Sequence, residues 1–75
     1  MKIKDMENEL KNNNIPKSAY SIGKIEDENL CLLKENEIFE VFYYERGLKN
    51  SLKKFLNEEA ACHYFVEELK SWFEK

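Results

Sequence analysis

The sequence predicts an α+β domain: an antiparallel three- to four-stranded meander with a long C-terminal helix packed on one face and a short N-terminal helix. Three observations lead there. Glu37-Ile38-Phe39-Glu40-Val41-Phe42-Tyr43-Tyr44-Glu45-Arg46-Gly47 is the densest run of β-branched and aromatic residues and ends at a glycine, as a central strand would. Ala61, Cys62, Phe65, Val66, Leu69, Trp72 and Phe73 recur at helical spacing, making one wide apolar stripe. Ile3, Met6 and Leu10 recur at i, i+3 and i+7 among charged residues and asparagines, the pattern of a short amphipathic helix.

In chain order, that first helix is expected over residues 3–13. Asn12-Asn13-Asn14 ends it, and Ile15-Pro16 enforces an extended exit. A helix of this length is marginal alone and must dock to persist. Residues 16–23 read as a loop into a short first strand, and Gly23 to Asn29 as a polar turn. Leu30-Cys31-Leu32-Leu33-Lys34 is a strand apolar on both sides, hence one expected to be covered on both. Glu35-Asn36 is a tight connection, because asparagine tolerates the positive φ of a hairpin turn. Alternation in the central strand puts Phe39, Val41 and Tyr43 on the core side, and Ile38, Glu40, Phe42 and Tyr44 on the other.

Gly47 is a turn or bulge position before an edge strand over 48–55, whose Lys53-Lys54 pair discourages unwanted pairing. Phe55 falls out of alternation with Leu52, which predicts a bend or bulge near Lys54. Asn57 is a suitable N-cap for the last helix, with Glu58 and Glu59 placing negative charge in its first turn. Its stripe should pack on the Phe39/Val41/Tyr43 side.

The 75 residues suit one domain, residues 1–75, burying only ~60% of its unfolded-chain surface. A 43% hydrophobic, 13% aromatic content with one proline is that of a folded chain rather than a disordered one. No apolar run approaches the ~20 residues of a membrane span, and the charged start, Met1 to Glu7, has no apolar signal core. The expected location is cytoplasmic, without membrane association. A net charge of −3 argues against nucleic acid and leaves basic protein partners open. The C-terminal segment is acidic, with Glu58, Glu59, Glu67, Glu68 and Glu74 against Lys70 and Lys75.

Cys31 and Cys62 read as two buried thiols rather than a disulfide. With the single His63 they do not complete a zinc site. No phosphate loop or nucleophile motif occurs. A Cys31/His63 pair is conceivable, but a buried cysteine and a surface histidine explain both residues. The glutamates read as a solvated acidic face, and two layers of this size rarely enclose a cleft. The expectation is a binder, not an enzyme, with no cofactor and no metal.

Two kinds of partner are open. Helix, strands, helix is also the order of a double-stranded-RNA-binding domain, and Lys49, Lys53 and Lys54 form a basic strip. Against it, Asn57-Glu58-Glu59 stands at the start of the last helix, where such a domain needs positive charge. A protein partner is the other: Phe42 and Tyr44, flanked by Glu40, Glu45 and Arg46, have the aromatic anchors and charged rim of an interface. Alternatively the first helix covers that face through Ile3, Met6 and Leu10, or the chain dimerises through it.

The pattern Ile15-Pro16, Tyr20-Ser21-Ile22, Leu30-Cys31-Leu32, Glu40-Val41-Phe42-Tyr43, Glu45-Arg46-Gly47, Leu52, Phe55, Glu58-Glu59-Ala60, Cys62 and Tyr64-Phe65 resembles a group of very small bacterial immunity proteins. These are encoded beside polymorphic and contact-dependent growth inhibition toxins, and each binds and neutralises its cognate toxin domain. The resemblance spans residues 15–69; the Glu-Arg-Gly turn and the Ala-x-Cys-x-Tyr-Phe helix start are its most specific parts. It implies a cognate toxin C-terminal domain as partner. Toxin contacts vary between members of such families, so it carries over no binding residue. The contact candidates Glu40, Phe42, Tyr44, Glu45 and Arg46 rest on the strand reading alone. The charge balance suits a basic toxin domain such as a nuclease, and a small RNA-binding or adaptor module is the alternative. Oligomeric state is left open.

Overall fold

In the computed structural model, which describes residues 2–73, the chain runs α1 (Ile3–Asn12), a 3-10 turn (Lys17–Ala19), β1 (Tyr20–Ile22), β2 (Asn29–Glu35), β3 (Ile38–Glu45), β4 (Leu48–Phe55) and α2 (Glu58–Phe73). Met1, Glu74 and Lys75, which belong to the charged ends noted above, lie outside the described residues. The class is α+β, with one four-stranded sheet in the order β1-β2-β3-β4.

Three strands form the expected antiparallel meander. Asn36 (φ 59°) supplies the left-handed residue between β2 and β3. Between β3 and β4, Arg46 (φ 54°) and Gly47 (φ 77°) both have positive φ, the signature of a type I′ hairpin turn. The register of β4 on β3 shifts between Val41↔Lys53 and Tyr43↔Asn50. Ser51 and Leu52 therefore stand together against Phe42, and Ser51 takes a φ of 56°. This bulge lies two to three positions before Lys54, where the sequence pattern placed it.

The fourth strand corrects the meander. β1 pairs parallel to β2, Tyr20 with Leu30 and Ile22 with Leu32. A parallel neighbour needs a crossover, usually a dozen or more residues. Residues 23–28 suffice because β1 is so short that the chain returns only about 10 Å along the sheet. Gly23, at φ 84°, starts the return while its N–H donates to the Leu32 carbonyl at 2.8 Å.

Both helices pack on one face. Met6 and Leu10 of α1, Ile15, and Ala61, Cys62, Phe65, Val66 and Leu69 of α2 share one core with Leu30, Leu32, Phe39 and Val41. The asparagine run at the end of α1 works by a specific device. Asn14 is left-handed (φ 60°), its N–H donates to the Lys11 carbonyl, and the Ile15 N–H reaches back to Leu10, both at 3.0 Å. That is a Schellman motif, which satisfies the last carbonyls and turns Ile15 into the core. The start of α2 is capped as expected, the Ala60 N–H donating to Asn57 Oδ1 at 2.7 Å. Glu58 in that first turn also accepts from the Ile3 N–H at 2.8 Å, so one carboxylate serves the positive ends of both helices. Lys70 lies 3.8 Å from Glu9 further along the pair. α1 is thereby held beside α2 and does not cover the far face of the sheet.

Candidate functional site

The far face carries three of the five contact candidates, and it is largely closed. Phe42 is fully buried, as is its cross-strand neighbour Cys31, although no helix lies above them. The 23–28 return lies against Cys31, and Tyr44 and Lys49 flank Phe42. The Ser21 hydroxyl donates to the Lys24 carbonyl at 3.1 Å and lies 3.2 Å from Cys31 Sγ, which itself faces the carbonyls of Glu26 (3.7 Å) and Asn29 (3.6 Å). Tyr44 packs edge-on to Phe42, ring centroids 6.3 Å apart. From β4, the Lys49 ammonium sits 4.8 Å above the Phe42 ring, a cation–π contact.

Phe42 is thus a core residue and is withdrawn as a contact. Glu40 is also engaged internally: Lys49 approaches it at 3.3 Å and Lys54 at 4.0 Å, leaving 14% of its side chain exposed. Tyr44 is half-buried. The polar return hides its covering role in the sequence, because it covers with backbone carbonyls rather than with apolar side chains.

Glu45 and Arg46 are exposed at the β3–β4 turn. The turn is pinned from outside the hairpin: the Arg46 N–H donates to Asp27 Oδ1 at 3.0 Å, and the Glu28 N–H donates to the Tyr44 carbonyl at 2.7 Å. On the helix side of this end, Tyr43 meets Trp72 edge-to-face, centroids 5.6 Å apart. Leu48, two cross-strand pairs closer to the turn than Asn50 and Tyr43, is 65% exposed, and Trp72 40%. Trp72 and Phe73, expected in the helix stripe, both extend past the core instead.

Burial, and then the Glu45, Glu28 and Asp27 carboxylates, push the Tyr43 pKa up. Burial also pushes up the pKa values of Tyr20, Tyr64 and Cys62, assisted by Glu7, Glu68 and Glu58 respectively. Sequence reasoning assigned Tyr43 and Trp72 to the core and passed over Asp27 and Leu48. The Asp27–Arg46 contact spans 19 positions, and no local pattern reports it.

The other reactive side chains do not converge. Cys31 belongs to the far face and Cys62 to the helix-side core, both as free thiols, and the sheet lies between them. His63 is exposed on α2, beside Asn57 and Glu59 in an open depression, across the sheet from Cys31. Among the described residues no group of three or more His, Cys, Asp or Glu side chains could hold a metal ion. No helix among them is long and apolar enough to cross a membrane. No protein-family model, curated protein or solved structure matches the chain.

Proposed function

We propose that this chain is a cytoplasmic immunity protein that binds a cognate toxin effector domain and blocks it by protein–protein contact. The observation that carries the reading is the pinned β3–β4 turn. The backbone that carries its two exposed charged residues, Glu45 and Arg46, is held by Asp27 and by the Glu28–Tyr44 hydrogen bond. A turn whose backbone is fixed before encounter loses little backbone freedom on binding. An overall charge of −3 favours encounter with a basic domain such as a nuclease. The resemblance to small immunity proteins supports the same reading. Many of its quoted positions, among them Ile15, Leu30, Cys31, Val41, Phe42, Cys62 and Phe65, are buried and so bear on the fold. Glu45-Arg46-Gly47 reaches the surface, as do Pro16, Leu52, Glu59 and Ala60.

Charge weighs against RNA as the partner. Lys49 and Lys54 of the basic strip both lie against Glu40, and α2 opens with Glu58 and Glu59.

The test is a search beside this chain's gene for a toxin with a long N-terminal delivery region, followed by co-expression with that toxin's C-terminal domain; the lack of any such toxin counts heavily against the proposal. Cells should be protected, and the two proteins should co-purify as a stable complex. Neither protection nor a complex would sink the proposal, and retention of duplex RNA on a filter at low salt would favour the alternative.

A further inference from the structure

The helix-side surface at the hairpin end has what a docking site needs. Leu48 at 65% and Trp72 at 40% are large apolar groups open to solvent. Trp72 is braced by Tyr43, so it presents its ring without the freedom of an unsupported side chain. Tryptophan and tyrosine are the residue types that most often anchor interfaces. The surface is continuous with the turn through the Glu45↔Leu48 pair.

Its rim is acidic. Asp27 is fixed on the Arg46 N–H, Glu45 is exposed opposite Leu48, and Glu68 precedes Trp72 by one helical turn on the same face of α2. Glu28 and Asp27 also act electrostatically on Tyr43. Among the described residues, the cations nearby are Arg46 in the turn and Lys53, on the same side of β4 beyond the bulge. Carboxylates predominate, so a second copy of this chain would set acidic rim against acidic rim. A cationic surface would be drawn in.

We propose that the Tyr43–Leu48–Trp72 surface docks the cationic face of the toxin domain, with Leu48 and Trp72 as apolar anchors and Asp27, Glu45 and Glu68 as the charged rim. This rests on the immunity reading and names the surface that would do the work.

The chain has one tryptophan, so 5-fluorotryptophan labelling gives a single fluorine resonance at the proposed anchor. The probe is the catalytically inactivated toxin domain that the co-expression test identifies. On its addition the resonance should shift, and association should slow as salt is raised. Leu48→Lys, at a site too exposed to unfold the core, should weaken binding about tenfold or more, the scale of an anchor residue. Leu56→Lys, at a still more exposed leucine (84%) in the β4–α2 connection, should change it by no more than about twofold. Tight binding with an unmoved resonance, or equal effects of the two substitutions, overturns the surface and leaves the immunity function standing. No binding by the unmodified chain overturns both.

Discussion

On one side of the sheet, Leu32, Val41 and Phe65 are buried by two helices; on the other, Cys31 and Phe42 are buried just as completely by a short polar return and a lysine. The helix side is covered by side chains spaced for the purpose, Met6 and Leu10 on α1 and Phe65, Val66 and Leu69 on α2. The far side is covered by backbone that has satisfied its own polar groups locally, through Ser21, Cys31 and the Glu28–Tyr44 hydrogen bond. Burial therefore does not require an amphipathic partner. It requires that whatever lies on top leaves no polar group unpaired.

The sharpest way to break this comparison is to hollow each side in turn. Phe65→Ala and Phe42→Ala should each cost about 3–5 kcal/mol. A chain this size has a total stability of only about 4–11 kcal/mol, so both variants should approach unfolding in urea titrations. A loss below about 1 kcal/mol for Phe42→Ala would show that the return is a loose flap and the far face no core.

A smaller effect probes the cover itself. Ser21→Ala removes the hydroxyl that donates to the Lys24 carbonyl and should cost about 1 kcal/mol. Hydrogen exchange should quicken at the β1 end and the 23–28 return, while α2 amides fall only with global stability. Uniform loss of protection would mean the two sides are one cooperative unit.

The smallest effect distinguishes the sides by pH. Tyr20, Tyr43, Tyr64 and Cys62 all belong to the helix side, and all hold their protons more tightly than usual. Above the ordinary thiol range, ~8.5, and then the phenol range, ~10, the unfolded chain releases protons that the folded chain retains. Stability is complete below those values and falls as pH rises through the raised ones. Urea midpoints followed from neutral to alkaline pH should decline, and Cys62→Ala should flatten the onset. A midpoint that rises with alkalinity would contradict the burial of these groups.

Much of the architecture was readable from residue pattern. α2 begins at Glu58 with its Asn57 cap, β4 spans the expected residues, and Asn36 and Gly47 sit at their turns. Periodicity and turn chemistry are local, so one segment reports them. The parallel pairing of β1 was not readable, because strand direction depends on where the chain returns rather than on the three residues of the strand. The candidate site suffered similarly. Alternation placed Phe42 and Tyr44 on the far face correctly. An apolar strand position looks the same whether solvent, a helix or a loop lies above it, and here the return lies against Cys31 beside it. Of the five contact candidates, Glu45 and Arg46 are exposed, at the turn whose Asp27 support is distant in sequence.

The Gly23–Glu28 return also has a consequence for assembly order. The far-face core draws on Ser21, the return, Cys31, Phe42, Tyr44 and Lys49, all from one uninterrupted stretch of chain. The helix-side core must instead bring Ile3 to Glu58, 55 positions apart. Closing short loops costs less entropy than closing long ones. During synthesis the stretch from Ser21 to Lys49 also leaves the ribosome before any of α2. The loop-covered half can gather as a seed on the nascent chain, and the helices then arrive to complete it.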